Sequence, residues 1–260
     1  MSGASLDFLS GSSADDRLFA RQCADKVRAA EDKYRTGFTF FLTEGKAETA
    51  RRVMAAFSFE RFMLWGGTDS AERVMLGVFA PYDEPSAEAF PIKALTIGYS
   101  GRESISHRDI LGSLMGLNIA RETVGDIYAG EKQAIVFLTN TAADEVMRGL
   151  AKVGRESVSV AEGFDPDAVP ERGYKEISGT VSSLRADCVL SLAARISRAR
   201  AEELISSGLM TVKGQAVTKT SHRLEEGDTF SARGYGKFVL ERVGGNTKKD
   251  RIFIDVKKYI

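Results

Sequence analysis

Histidine and cysteine are scarce in this 260-residue chain, which has two of each. Cys23 and Cys188 stand far apart and form no Cys-x-x-Cys pattern. We therefore expect two free thiols, as in a protein of the reducing cytoplasm, and no disulfide framework. With His107 and His222 as the only histidines, the chain offers few of the ligands that bind zinc. The sequence thus predicts no metal site and no cofactor.

Long apolar runs are also missing. No segment approaches the roughly 20 apolar residues that span a bilayer. Residues 1–16 lack the basic stretch and apolar core of a signal peptide. The hydrophobic and charged fractions, 43% and 28%, are those of a globular protein in water. We therefore expect a cytoplasmic protein without a membrane partner.

The formal net charge is zero, but the charges are unevenly distributed. Residues 181–260 contain 15 Lys and Arg against 9 Asp and Glu, a balance of +6. Residues 1–180 contain 21 against 27, a balance of −6. This asymmetry indicates an anion-binding module attached to an acidic body with another role.

Local patterns divide the chain into three predicted α+β domains, at residues 1–80, 91–162 and 181–260. The first is an N-terminal α/β segment, with helices predicted at 15–34 and 44–57, the second capped by Thr43, and strands at 62–65 and 74–79. Gly66 and Gly67 between the strands are interpreted as a turn, because a phosphate loop needs more glycines and a following Lys-Ser/Thr.

The middle domain alternates strands and helices in the order β-α-β-β-α-β. The predicted segments are 92–99, 106–117, 126–128, 133–138, 142–153 and 157–161, with Asn140 or Thr141 capping the second helix. This order is the split βαβ plan of ferredoxin-like and RNA-recognition domains. Many RNA-recognition domains stack bases on aromatic residues of their central strands. Here Phe137 is the only aromatic of the inner strand, so the fold is predicted without that mode of RNA binding.

The C-terminal domain begins with a strand at 176–181 and two helices. The helices are predicted at 184–194 and 197–208, a hairpin turn at 213–215, strands at 229–232, 238–242 and 252–256, and a last turn at 244–250. In the second helix Ser197 suits the N-cap and Gly208 the C-terminal end. The apolar residues between them share one face of the helix, so Arg198 and Arg200 point away from that face. The two arginines can then bind an anion such as phosphate.

A basic constellation surrounds these helices, and we interpret it as an RNA-binding surface. Arginine forks pair with phosphate oxygens, and an aromatic ring between two glycines can stack on a base. The candidate residues are Arg185, Arg195, Arg198, Arg200, Lys213, Lys219, Arg233, Tyr235 and Lys237. Charge alone leaves an alternative open, in which a solvated basic surface compensates the acidic body and Gly234 and Gly236 only turn the chain.

The order and spacing of these motifs resemble the αL RNA-binding domain first described in ribosomal protein S-four. The matching residues are Leu184-Arg185-Ala186-Asp187, Ser197-Arg198-Ala199-Arg200-Ala201, Leu204-Ile205, Gly208-Leu209, Val212-Lys213-Gly214, Gly227-Asp228 and Arg233-Gly234-Tyr235-Gly236-Lys237-Phe238. Ala186 departs from the usual leucine, and Lys213 from the usual asparagine. The resemblance implies that two helices and an adjoining loop lie against structured RNA.

Further motifs make nearly the whole chain similar to the bacterial YlmH-type proteins. They are residues 106–117, Arg121-Glu122, Gly125-Asp126-Ile127, Phe41-Leu42-Thr43, Gly66-Gly67 and Glu72-Arg73, with Asn118 where glycine is common. The resemblance implies RNA binding on the ribosome, on the large subunit with peptidyl-tRNA, during rescue of stalled translation. It also implies a link to cell division.

A second functional surface is a weaker hypothesis. His107, Arg108, Arg121 and Asp126 could form one, or the region could be structural, with Ser106 and Asp109 starting a helix. The His107-Arg108-Asp109 sequence does not fit a kinase, because Leu114 stands where the kinase loop requires asparagine.

The sequence favours a non-enzymatic RNA-binding protein with no catalytic residues and with ribosomal RNA or tRNA as its partner. Two alternatives stay open. One is an RNA-modifying enzyme or accessory, because αL domains often accompany such enzymes. The other is a cell-division adaptor that binds protein partners through residues 1–165.

Overall fold

The computed structural model describes residues 13–169, 173–246 and 250–259. Its contacts divide the chain into two compact units, residues 1–170 and 171–260. Both units combine helices with antiparallel sheets, so the predicted α+β class is confirmed. The finer division into three domains stays a prediction.

The first part of unit 1 contains two helices and a three-stranded sheet. Its elements are α1 (Ala14–Lys33), β1 (Gly37–Phe38), α2 (Glu44–Ala56), β2 (Phe62–Trp65) and β3 (Met75–Val78), with the strand order β1-β3-β2. The Ser13 hydroxyl caps α1 by accepting a bond from the Asp16 N–H at 3.1 Å, and Thr43 occupies the N-cap of α2 as predicted. The buried faces of both helices share one core with Leu76 and Val78.

The middle of the chain forms the predicted split βαβ plan. Its elements are β4 (Ile92–Gly98), α3 (His107–Gly116), β5 (Val124–Ala129), β6 (Gln133–Thr139), α4 (Asn140–Gly149), β7 (Lys152–Val153), β8 (Glu156–Ser157) and β9 (Ser159–Glu162). The antiparallel order β5-β6-β4-β9 is that of the ferredoxin-like fold. Ser106 and Asp109 form a reciprocal capping box at the start of α3, which confirms their predicted structural role.

Two details of this domain were predicted wrongly. The cap of α4 is Thr139, whose hydroxyl accepts a bond from the Ala142 N–H at 3.4 Å, rather than Asn140 or Thr141. The helix also ends at Gly149 and not at residue 153, because the next residues form a hairpin in which Lys152 pairs with Ser157. Gly154 turns this hairpin with a φ of +58°, a conformation that suits glycine.

The sheet of the middle domain is covered on the face opposite its helices. Ile135 and Phe137 on this face are 2% and 1% exposed, and they share a core with Phe41, Met75 and Phe79 of the preceding domain. RNA-recognition domains use this face to stack bases. Because this face is buried, Ile135 and Phe137 are not accessible for stacking bases.

Gly67 contributes close packing in addition to the predicted turn. Its φ is +102°, and a Cβ at this position would lie 2.2 Å from the ring of Phe137. The Gly66 position is equally tight, since a Cβ there would lie 2.3 Å from the carbonyl oxygen of Arg73. The glycine pair therefore brings the β2–β3 loop directly onto the middle sheet.

Unit 2 packs two helices on a six-stranded sheet. Its elements are β10 (Tyr174–Val181), α5 (Ala186–Ala194), α6 (Arg198–Ser206), β11 (Met210–Val212), β12 (Gln215–Val217), β13 (Thr229–Ala232), β14 (Gly236–Asn246) and β15 (Ile252–Tyr259), in the order β10-β15-β14-β13-β11-β12. Leu190 and Leu204 of the helices share a core with Phe238 and Ile254 of the sheet.

Both turns predicted in unit 2 needed correction. The hairpin turns on Lys213 and Gly214, whose φ angles of +49° and +71° suit a two-residue connection, and Gln215 already belongs to β12. The turn predicted at 244–250 begins too early, because β14 continues to Asn246 through an irregular register against β15. Residues 247–249 of that prediction lie outside the described residues.

Within the described ranges, no helix is long and apolar enough to cross a membrane. The same ranges contain no group of three or more His, Cys, Asp or Glu residues that could hold a metal ion. Cys23 and Cys188 are both free and buried. Burial raises the pKa of the Cys23 thiol to about 12.

Candidate RNA interface

Helix α6 has the structure that its sequence predicts. The Ser197 hydroxyl accepts a hydrogen bond from the Arg200 N–H at 3.2 Å, which satisfies a free donor of the first turn. Ala201, Leu204 and Ile205 are buried against the core. Because this face is used in packing, the side chains of Arg198 and Arg200 lie at the surface, 53% and 46% exposed.

A fully buried carboxylate lies beneath the arginines. Asp187 accepts a bond from the Nε of Arg185 at 3.0 Å through Oδ1, and one from the Nε of Arg198 at 2.8 Å through Oδ2. The Nη2 of Arg198 lies 2.6 Å from the same Oδ2. The Asp187 side chain is 0% exposed, whereas Arg185 and Arg198 are 40% and 53% exposed. One aspartate therefore holds two arginines from different segments at one place on the surface.

The Asp187 carboxylate is ionised at neutral pH. Burial acts to raise the pKa of Asp187, but the hydrogen bonds from Arg185 and Arg198 outweigh it, so the pKa lies below its usual value. The same contacts raise the pKa of both guanidinium groups. The triad thus carries one net positive charge at neutral pH, with guanidinium N–H groups facing solvent.

A neighbouring chain segment supports the triad. The Ala186 N–H donates to the His222 carbonyl at 2.7 Å, and the Leu224 N–H donates to the Leu184 carbonyl at 2.9 Å. An antiparallel bridge joins Arg185 and Arg223, which places a further exposed arginine beside the triad. Neither Arg223 nor the role of Asp187 was predicted from the sequence. The Arg-x-Asp spacing before a helix was the only available signal, because the partner Arg198 is distant in sequence.

Arg200 belongs to a different contact. Its Nη1 lies 2.6 Å from Oε2 of Glu203. The bond to Glu203, followed by the nearby side chain of Tyr235, raises the pKa of Arg200. Tyr235 packs partly against the core at the turn between β13 and β14, where Gly234 and Gly236 have φ angles of +87° and +104°. The glycines therefore turn the chain and bring Tyr235 to α6.

Two of the other candidates, Lys213 and Lys237, contact different partners. The Nζ of Lys213 lies 2.7 Å from the buried carboxylate of Asp228, and the Nζ of Lys237 lies 5.2 Å from the ring centroid of Tyr259. The remaining predicted residues are exposed: Arg195, Lys219 and Arg233. The structure thus brings Arg185 together with Arg198, and Arg200 together with Tyr235.

The hypothetical second surface contains residues that join the two domains of unit 1. Asp126 accepts bonds from the N–H groups of Glu72 at 2.6 Å and Arg73 at 3.1 Å. The Arg73 side chain donates to the carbonyls of Val124 at 2.9 Å and Arg121 at 3.3 Å. Burial, followed by repulsion from Arg121, lowers the pKa of Arg73 to about 10. Asp126 and Arg121 therefore have structural partners.

The other two residues of that surface, His107 and Arg108, are exposed at the start of α3. Burial of part of the ring, and then the nearby charge of Arg121, lower the pKa of His107. The imidazole is thus held towards its neutral form. A functional role for these four residues stays a prediction.

Comparison with known proteins gives the chain a family. Residues 85–164 match a family model described as "Putative RNA-binding domain in YlmH". A Bacillus subtilis protein named "Ribosome-associated protein quality control protein P2" is 31% identical over 239 residues, which cover 91% of this chain and 93% of the relative. The chain belongs to the YlmH family. A solved structure, "Cell division protein ylmH from Streptococcus pneumoniae", shares the fold with a TM-score of 0.54 and 23% identity, over 61% of this chain and 96% of that one.

The matched family model falls on the middle domain of this YlmH-family protein. Residues 85–164 include all strands from β4 to β9, and thus the sheet whose outer face is covered by Phe41 and Met75. RNA could reach this domain only through its helices, its loops or its sheet edges. In contrast to this buried sheet face, the side chains of Arg185 and Arg198 in unit 2 are 40% and 53% exposed.

Proposed function

We propose that the protein is a non-enzymatic RNA-binding factor that contacts structured RNA through the Arg185–Asp187–Arg198 triad. In this proposal it acts on the large ribosomal subunit, together with peptidyl-tRNA, in the rescue of stalled translation. The name of the Bacillus subtilis relative, which describes that protein as ribosome-associated and active in quality control, supports the setting. The resemblance of unit 2 to αL domains supports the mode of binding.

The triad is the observation that carries the proposal. A guanidinium group recognises phosphate through N–H donors in a fixed plane, and it binds best when its rotamer is already set. Asp187 sets the rotamers of Arg185 and Arg198 before RNA arrives, because both guanidinium groups donate to its carboxylate. Each arginine has five N–H donors, so donors remain for phosphate oxygens. The geometry suits a polyanion with closely spaced phosphates.

Ribosome co-sedimentation tests the proposal. The double variant Arg185→Ala/Arg198→Ala should leave the ribosomal fraction at moderate salt, because electrostatic contacts to RNA weaken steeply as salt rises. Arg28→Ala/Arg51→Ala is the matched control. It also removes two exposed arginines, each paired with a carboxylate three residues earlier, but in unit 1. Equal sedimentation of both variants and the wild type would overturn the proposal.

Separate assays test its finer parts. Purified subunits should show binding to the large subunit, and binding to the small subunit alone would contradict the proposed site. If the protein acts by binding only, rRNA and tRNA from a deletion strain should keep every modified nucleotide in nuclease digests analysed by mass spectrometry. A modification that disappears on deletion and returns with the wild-type chain would favour the RNA-modifying alternative.

A further inference from the structure

The sheet of unit 2 has a second face, which lies opposite α5 and α6. Residues alternate between the two faces of a strand. Phe238 and Val256 are buried with the helices, so Lys237 and Lys257, one residue away, lie on the other face. Tyr174 and Tyr259 also lie on this outer face and are paired in register across β10 and β15.

An aromatic pair with two lysines occupies one end of this face. The ring centroids of Tyr174 and Tyr259 are 5.0 Å apart, with an angle of 63° between the rings. The Nζ of Lys237 lies 5.2 Å from the centroid of Tyr259, and that of Lys257 lies 5.7 Å from the centroid of Tyr174. Tyr174 is 41% exposed, although tyrosine side chains usually bury most of their surface. We call these four residues the tyrosine–lysine patch.

We propose that the tyrosine–lysine patch is a second RNA-binding surface, which stacks unpaired bases of single-stranded RNA on Tyr174 and Tyr259. Proteins that bind single strands combine aromatic platforms with basic groups that follow the backbone. A lysine ammonium group lies over one face of each ring and supplies the second component, because it can contact the phosphate of a nucleotide whose base stacks on the other face. The patch extends the proposed function to another class of RNA and does not require the triad.

Neighbouring charges favour a single strand over a duplex. Lys257 lies 2.9 Å from a carboxylate oxygen of Glu241 and pairs in register with Glu176. These carboxylates would repel the dense phosphates of a double helix. A single strand can turn its bases to the rings and its phosphates away. We therefore expect an affinity that depends mainly on stacking and only weakly on salt, with one or two phosphate contacts and a slope of about −0.7 per contact.

The location of the patch allows simultaneous binding. The triad lies at the starts of α5 and α6, on the side of the sheet that the helices cover, and the patch lies on the opposite side. An RNA on one side of unit 2 would not block an RNA on the other. The protein could thus hold a folded RNA element through the triad and an unpaired strand through the patch.

Binding of a labelled, unstructured 12-nucleotide oligouridine to the full chain tests the proposal. Tyr174→Leu/Tyr259→Leu keeps apolar side chains and removes the rings, so the affinity measured by fluorescence anisotropy should fall at least tenfold, as expected for loss of base stacking. Phe253→Leu is the matched control. It removes a 37% exposed ring from the same strand and face, away from the lysines, and should bind within about twofold of the wild type.

The triad separates this proposal from the proposed function. Arg185→Ala/Arg198→Ala should keep oligouridine binding and lose ribosome binding. The tyrosine variant should show the reverse, with weaker oligouridine binding and ribosome binding kept. Wild-type affinity for oligouridine in the tyrosine variant, an equal loss in Phe253→Leu, or no oligouridine binding by the wild type would each overturn the patch. None of these results bears on the triad.

Crosslinking of the wild-type chain provides a test without variants. An oligouridine that contains 5-iodouridine should form photoadducts on the peptides with Tyr174 and Tyr259, identified by mass spectrometry. Adducts confined to the α5–α6 peptides would place single strands at the triad and overturn the proposal.

Discussion

Asparagine at position 187 would keep the size of the buried aspartate and remove its charge. In Asp187→Asn one of the two carboxylate oxygens becomes an NH₂ group, which faces an arginine Nε donor to donor, and the remaining amide oxygen is uncharged. Arg185 and Arg198 are partly exposed, so they can turn into water after they lose this partner. We expect the variant to fold with both arginines present but no longer held together.

The loss of stability can be estimated from the geometry. A hydrogen bond to a charged group contributes about 1.5–3 kcal/mol, and contacts that share one carboxylate are not additive. Since the arginines regain water, the free energy of unfolding should fall by about 2 kcal/mol rather than by the roughly 3–5 kcal/mol of a pair with both charges buried. For a domain of this size, such a loss lowers the melting temperature by roughly 10 °C.

The pH dependence should change as well. The folded-state pKa of Asp187 lies below its ordinary value, so the carboxylate stabilises the fold above pH ~4 and loses this effect as the pH falls through the folded pKa. The asparagine variant should lack that acid-side decrease. Above pH 5 the difference in stability between wild type and variant should be constant.

The decisive assay is RNA affinity measured at least 20 °C below the melting temperature of the variant. We expect a loss of roughly tenfold, or about 1.4 kcal/mol, because the arginines must be ordered when RNA binds. Asp228→Asn is the control, since it removes another buried aspartate of unit 2 that holds a single cation, Lys213. Unchanged RNA affinity in Asp187→Asn, or a larger loss in Asp228→Asn, would refute the preorganisation of the arginines.

Three further predictions concern packing, reactivity and charge. Gly67→Ala should destabilise unit 1 by about 3 kcal/mol in urea denaturation, because the new Cβ meets the Phe137 ring. The control Gly163→Ala also has a positive φ, but its Cβ would have no atom within 4 Å, so it should lower the free energy of unfolding by only about 1 kcal/mol. The Cys23 thiol, with a pKa of about 12, should resist iodoacetamide at pH 8 until urea unfolds the chain. Rapid labelling of Cys23 itself in the native protein, identified by peptide mass spectrometry, would contradict its burial. Arg198→Ala should reduce the slope of log affinity for structured RNA against log salt by about one, and an unchanged slope would mean that this guanidinium does not contact phosphate.

Local sequence determined most of the elements that carry the candidate site. The N-cap Ser197, the spacing of Ala201, Leu204 and Ile205 and the C-terminal Gly208 act within one helix, so α6 could be predicted from them. The split βαβ order was also predictable, because alternating strands and helices follow from hydrophobic period and capping residues. The end of α4 and the extent of β14 were not, since a hairpin and a neighbouring strand far along the chain decide them.

Tertiary structure decided which of the predicted residues act together. Arg185, Asp187 and Arg198 lie on two segments, and only the packing of α5 against α6 brings both guanidinium groups to one buried carboxylate. Lys237 appeared to belong to the same surface by sequence, but the alternation of β14 places it across the sheet, beside Tyr259. Composition and motif predicted a basic RNA-binding module. Its geometry depends on long-range contacts, because side chains are oriented by the neighbours that folding brings to them and not by those adjacent in sequence.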